Sequence, residues 1–328
     1  MKEGVKLLHI RYSNEHAYAS DVLQSPYIKY GFDSSMIALE KEKNKAAYFD
    51  TTNSRLKDII HGLWQIDRPI FRIIGIETQS GCNCTCSFCP VNSKLDPRPY
   101  GVLPLPIINK IATELKELNY GHVISLFGNN EPLMDGRIVD IISIFRSSCP
   151  DANIKILTNG LLLTYDKVIE MFLAGLSMLV VNNYSDGQRL IKPVQKLIEK
   201  AEDLIPYDIR ISVRQRNEIL TTRAGAAPNK EPVKEPLAQF CALPFVDLQI
   251  SYTGKVVQCC FDSTNLSDFG NLTSSTLMDI WRNSHFDQLR TNLMNGNRKI
   301  CALCSACDFD GFRDPFQNPS LPLLREDL

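Results

Sequence analysis

Between residues 70 and 214 short apolar runs alternate with amphipathic ones, and this alternation confines the chain to a parallel α/β architecture. Five runs read as strands: Ile70–Glu77, His122–Phe127, Asn153–Thr158, Met178–Asn182 and Asp208–Arg214. Between them lie four helical patterns, Leu105–Leu118, Arg137–Arg146, Thr164–Ala174 and Gln188–Leu204. A helix in every connection puts successive strands parallel, joined by right-handed crossovers. Functional groups in such a sheet collect at the C-terminal ends of the strands.

Composition narrows the class further. At 328 residues the chain has room for one large domain and a smaller one. A net charge of −1 supplies no general field for nucleic acid or an anionic membrane. No apolar run reaches membrane-spanning length, and Met1–Lys6 has no signal-peptide apolar core, so a cytoplasmic protein is expected. Eleven cysteines in a reducing compartment point to metal or catalysis rather than disulfides.

Ten of those cysteines fall in two groups. The first lies in Ser80–Pro90, directly after the first strand run: Cys82, Cys84, Cys86 and Cys89. Cys82, Cys86 and Cys89 are spaced C-x3-C-x2-C, which lets three thiolates hold one face of a [4Fe–4S] cube and leaves one iron open. A zinc loop is the alternative, but zinc favours paired C-x2-C knuckles, and no partner knuckle follows within fifty residues. The second group is Cys241, Cys259, Cys260, Cys301, Cys304 and Cys307. Val246–Ser251, a Thr-Gly turn and Lys255–Gln258 read as a β-hairpin that brings Cys241 and Cys259 together. Cys149 stands alone at a helix end and reads as a small apolar residue.

The cysteine loop after a strand resembles the signature of the radical S-adenosylmethionine (SAM) superfamily. The resemblance implies a partial (β/α)6 TIM-like barrel, and a [4Fe–4S] cluster whose open iron is chelated by SAM. It also implies reductive cleavage of SAM to a 5′-deoxyadenosyl radical that abstracts a hydrogen atom from substrate. Phe88, before the last cysteine, would pack near the adenine, and Cys84 would stay unliganded. Gly128, Asn129, Asn130, Glu131 and Pro132 resemble the family's Gly-Gly-Glu-Pro motif, which holds the SAM amino group, with Asn129 in place of the second glycine. Thr158-Asn-Gly160 matches a frequent family turn. Asn182 and Asn183 are implied for the ribose, and Arg214 for the SAM carboxylate.

Cys241-x12-Gly-x4-Cys259, Phe269-Gly-Asn-Leu and Cys301-x2-Cys304-x2-Cys307 resemble the SPASM/twitch extension that follows such barrels. The resemblance implies a second, auxiliary [4Fe–4S] cluster on Cys241, Cys259, Cys304 and Cys307, with Cys301 a rival for one place. The rival account of these cysteines is a zinc ribbon. Cys260, beside a ligand, is either a packed apolar residue or a hydrogen-atom donor to a substrate radical.

The expected organisation is an N-terminal cap of a strand, a β-hairpin and a helix over 1–69, the barrel over 70–220, a linker over 221–240 and the auxiliary domain over 241–328. The cap could instead be a peptide-binding module. Arg223-Ala-Gly225, in the linker, is a candidate to approach the site. The implied activity is oxidation of a small molecule (sugar- or aminocyclitol-like) or a peptide, with a flavodoxin- or ferredoxin-type electron donor. Redox-neutral epimerisation through Cys260, peptide maturation and a non-catalytic two-site electron-transfer protein are the alternatives.

Overall fold

The computed structural model describes residues 8–12, 28–32, 57–58, 60–62, 64 and 69–311. Nine strands form one sheet: β1 (Leu8–Tyr12), β2 (Ile28–Phe32), β3 (Ile73–Ile76), β4 (Val123–Ser125), β5 (Asn153–Thr158), β6 (Met178–Tyr184), β7 (Ile209–Arg214), β8 (Asp247–Ile250) and β9 (Val256–Val257). Their order is β2-β1-β7-β6-β5-β4-β3-β8-β9. Strands β3 to β7 run parallel in sequence order, as helical crossovers require.

The crossover helices cover this sheet through one apolar stripe each. In α1 (Leu105–Glu117) the buried residues are Ile108, Ile111, Ala112 and Leu115; in α2 (Ile138–Ser148) they are Ile138, Ile141, Ile142 and Phe145. Both sets follow the i, i+3, i+4, i+7 spacing of a single helix face. Helix α3 (Tyr165–Leu173) begins at Thr164, whose hydroxyl accepts from Lys167 N at 3.1 Å.

The helix expected over Gln188–Leu204 is the short α4, Lys192–Ile198. Its start is pushed inward by a loop: Gln188 takes a φ of 51°, and the Ser185 hydroxyl both donates to Arg189 O and accepts from Arg189 N, each at 2.7 Å. Pro193 lies in the first turn, where a missing N–H breaks no intrahelical hydrogen bond.

Both flanking regions join the same sheet. β1 lies parallel to β7, with Ile10 opposite Ile211, and β2 lies outside β1. The hairpin expected at Met36–Phe49 lies outside the described residues. Of the helix expected after Thr52, residues 57–58, 60–62 and 64 are described and helical. At the other edge β8 pairs parallel with β3, and β9 folds back antiparallel on β8. The C-terminal region adds α5 (Leu243–Val246), α6 (Leu277–Trp281), α7 (Ser284–Met294) and α8 (Ala302–Ser305). Arg290 of α7 docks it: 2 % exposed, its guanidinium lies 4.1 Å from the Trp281 ring centroid and 4.4 Å from that of Trp64. It also donates to Pro244 O and Trp281 O at 2.8 and 2.6 Å, which satisfies the charge out of water. No helix among the described residues is long and apolar enough to cross a membrane.

Candidate active site

At the C-terminal ends of β3 to β6 the strand-end loops line a cavity that opens to solvent, about 580 Å³ with its mouth included. Cys82, Cys84, Cys86, Phe88 and Cys89 line one wall, and Gly128, Asn129, Asn130 and Glu131 line another. Thr158, Asn159, Asn182, Tyr184 and Arg223 complete it. The cysteine loop is stitched to the loop after β4: Glu131 N donates to Gly81 O at 3.0 Å, and Gln79 Nε2 donates to Glu131 O at 3.0 Å. Asn92 closes the cysteine loop on itself, its amide donating to Cys86 O and Cys89 O at 3.0 and 2.8 Å.

Gly128 is required by a close approach, since a Cβ there would lie 2.8 Å from Glu77 Cβ. Asn129 replaces a glycine without strain, because it is not among the non-glycine residues with positive φ. Arg98 braces this loop from behind. It donates to Asn129 O at 2.6 Å, to Glu77 Oε1 at 2.7 Å and to Asp96 Oδ2 at 2.9 Å, and its side chain is 5 % exposed.

Glu131 is 2 % exposed and held by three donors. Oε1 accepts from Thr158 Oγ1 at 2.6 Å and Leu133 N at 3.1 Å, and Oε2 accepts from Asn159 N at 2.7 Å. Burial pushes its carboxyl up, against these hydrogen bonds. A carboxylate oxygen takes two hydrogen bonds, so Oε2 keeps one acceptor position for an ammonium group in the cavity.

Burial pushes the Cys82 thiol up to about 12. A thiol in that setting ionises only against a positive centre such as iron, so the donor set fits a cluster. The Cys84 and Cys86 sulfurs lie 3.4 Å apart, and the hydrogen bond from Cys86, set against burial, lowers Cys84 to about 7.

The two strand-end asparagines separate as β-strand alternation demands. Asn182 lines the cavity, whereas Asn183 is fully buried behind it, donating to Arg189 O at 2.9 Å and accepting from Ile191 N at 2.8 Å. Tyr184, two residues on from Asn182, faces the same side and packs on Phe88 with ring centroids 5.4 Å apart. That period-2 position was the signal for it in the sequence. Pro132 is buried at the start of a 3-10 turn and does not line the cavity. Nor does Arg214, whose guanidinium is held by Glu218 at 2.7 Å. The arginine on the cavity wall is Arg223.

A second cavity of about 370 Å³ is lined by Cys241, Cys259, Cys304 and Cys307, with Ala224, Gln258, Arg298 and Phe309 among its walls. Burial pushes Cys241 up to about 12 and Cys259 well above its ordinary value. Cys301 lies beside this cavity rather than in it: its thiol caps α8, accepting from Cys304 N at 3.5 Å, and donates to Gln258 Oε1 at 3.3 Å. Gln258 Nε2 in turn donates to Cys304 Sγ at 2.8 Å. Cys260 is half-buried and lines neither cavity.

Two family models match these two regions: the radical SAM superfamily over residues 76–204, and the SPASM iron–sulfur cluster-binding domain over residues 241–308. The chain carries a radical SAM domain followed by a SPASM domain. Its cofactors are therefore SAM and iron–sulfur, with a [4Fe–4S] cluster in the radical SAM domain and auxiliary iron–sulfur in the SPASM domain. The chain is 23% identical over 239 residues to the S-adenosyl-L-methionine-dependent 2-deoxy-scyllo-inosamine dehydrogenase of Niallia circulans, covering 73% of this chain and 93% of that one. It shares the fold of crystalline BtrN in complex with AdoMet and 2-DOIA, with a TM-score of 0.67 at 22% identity over 76% of this chain and 98% of that one. An open conformation of BtrN matches with a TM-score of 0.54 at 20% identity, over 75% of this chain and 99% of that one.

Proposed function

We propose that this radical SAM protein oxidises a carbinol of a small, aminocyclitol- or sugar-like molecule to a carbonyl. The observation that carries the reading is the pair of cysteine-lined cavities sharing one wall segment, in which Arg223 faces the first and Ala224 the second. A substrate held between them can lose a hydrogen atom on one side and an electron on the other. The similarity to a 2-deoxy-scyllo-inosamine dehydrogenase supports the substrate class.

In this reading Cys82, Cys86 and Cys89 hold the first cluster, and Cys241, Cys259, Cys304 and Cys307 the auxiliary one. When bound, cluster and SAM together supply a 5′-deoxyadenosyl radical. Glu131 receives the SAM ammonium on Oε2, oriented by Thr158 and Asn159. Asn182 takes the ribose edge, and Phe88 with Tyr184 forms the apolar shelf for the adenine. Arg223 is the cation lining the cavity among the described residues, and it donates to substrate oxygens. Four cysteines leave the auxiliary cluster no open iron, which suits it to accept an electron rather than to bind substrate. A flavodoxin- or ferredoxin-type protein delivers the initiating electron. Cys260 lines neither cavity, which favours oxidation over thiol-mediated epimerisation.

Anaerobic turnover with SAM, a low-potential reductant and 2-deoxy-scyllo-inosamine tests the reading. One ketone per 5′-deoxyadenosine is the expected stoichiometry. 5′-Deoxyadenosine without any ketone rejects this substrate, and an inverted alcohol rejects oxidation.

A further inference from the structure

The segment joining the two cavities is held in an unfavourable backbone conformation. Arg223 and Ala224 have φ of 49° and 53°, two successive non-glycine residues in the left-handed region. Such a conformation is unfavourable for a residue with a Cβ and persists only where its surroundings over-determine it. Gly225 follows with φ 89°, and a Cβ on it would lie 2.8 Å from Ala306 Cβ, against the auxiliary-cluster segment.

The surroundings that fix this kink come from the residues just before and after Cys307. Thr222, 1 % exposed, donates through its backbone N to Asp308 Oδ1 at 2.8 Å and through its hydroxyl to Ala306 O at 2.8 Å. Lys230 closes the bracket, its ammonium donating to Asp308 Oδ2 at 2.6 Å and to Leu220 O at 2.8 Å. Inside it, Gly225 N and Ala227 N both donate to Thr222 O, at 2.8 and 2.9 Å. Residues 304–308 thus hold two cysteines of the second cavity at one end and the kink at the other.

We infer that occupation of the auxiliary site sets the position of Arg223 in the SAM cavity, with Thr222, Lys230 and Asp308 as positioning residues. This rests on the proposed ligation by Cys304 and Cys307. When those thiolates are pulled onto a cluster, Asp308 is fixed and the strained kink with it; without the cluster the strain is released and Arg223 leaves its place. The auxiliary centre is then a structural condition for substrate binding as well as an electron acceptor.

Hydrogen exchange on the reconstituted protein with SAM tests this without any substrate. The Cys304→Ser/Cys307→Ser variant should exchange the Gly225, Ala226 and Ala227 amides about ten-fold faster than the parent, with β6 and β7 unchanged. Lys230→Met, in the protein with all its cysteines, should accelerate the same amides at unchanged iron content, and Lys230→Arg should restore them. Unchanged exchange at 225–227 in Lys230→Met overturns the inference, as does acceleration that Lys230→Arg fails to reverse. Failure of the wild type to oxidise 2-deoxy-scyllo-inosamine would count against the substrate reading alone, because the exchange measurement does not depend on it.

Discussion

At the scale of single residues, the thiols make the sharpest prediction. Replacing Cys82, Cys86 and Cys89 together by Ala should remove one cube and abolish SAM cleavage, read as 5′-deoxyadenosine; retained cleavage would refute the ligand set. Cys84→Ala should keep that cube, because the three other thiols suffice. The Glu77–Arg98 pair predicts a pH dependence. Burial pushes the Glu77 carboxyl up to about 7 while Arg98, 2.7 Å away, pulls it down. A carboxyl raised on folding binds its proton more tightly in the folded state, so this group's contribution falls as pH rises from about 4.5 to about 7. In Arg98→Met the opposing charge is gone and the folded value climbs further. The variant should lose about 3–5 kcal/mol at pH 8, and clearly less at pH 5, where the carboxyl is protonated. Equal losses in denaturant melts at both pH values would show that Arg98 acts by packing alone. The residue scale is also where the sequence was hardest to read. Arg214 and Arg223 look alike in a string of letters; only the fold shows that Glu218 takes the first and leaves the second on the cavity wall.

Among the elements, the crossover pattern was legible because each strand and helix carries its own period. β5 spans Asn153–Thr158 as the apolar run did, and α1 falls one residue short of its expected end. What failed was whatever depends on distant partners. Helix α7 was missed because Asn283–Met294 offers only Phe286, Leu289 and Leu293 as an apolar face; its fourth buried residue is Arg290, a charge made tolerable by distant groups, the Trp64 and Trp281 rings and the carbonyls of Pro244 and Trp281. Arg290→Ala should therefore cost about 3 kcal/mol or more, visible as a lower melting temperature, since it removes stacking and two hydrogen bonds to carbonyls. Lys should not rescue it, because an ammonium lacks the planar fork that reaches both. The preceding helix α6 opens with a reciprocal capping box between Thr276 and Asp279, and Thr276→Ala should cost about 1 kcal/mol.

For the whole molecule, the two cavities predict about eight irons in the reconstituted protein, four per cube. Cys304→Ser/Cys307→Ser should retain about half of that iron and still cleave SAM while forming no oxidised product; loss of SAM cleavage with the first cube intact would contradict the division of labour. The pairing of β8 with β3 was invisible to any local reading, since Ile73 and its partner Asp247 lie about 170 residues apart. That pairing has a consequence for biosynthesis. β3 leads directly into Ser80–Pro90, yet its outer edge stays open until residues near 250 have left the ribosome. Until then the nascent chain exposes an unpaired strand edge beside four thiols, the kind of surface on which chains aggregate and oxidise. Iron loading of the first site should thus wait until β8 has emerged, and expression that outpaces cluster supply should leave aggregated chain rather than folded apoprotein.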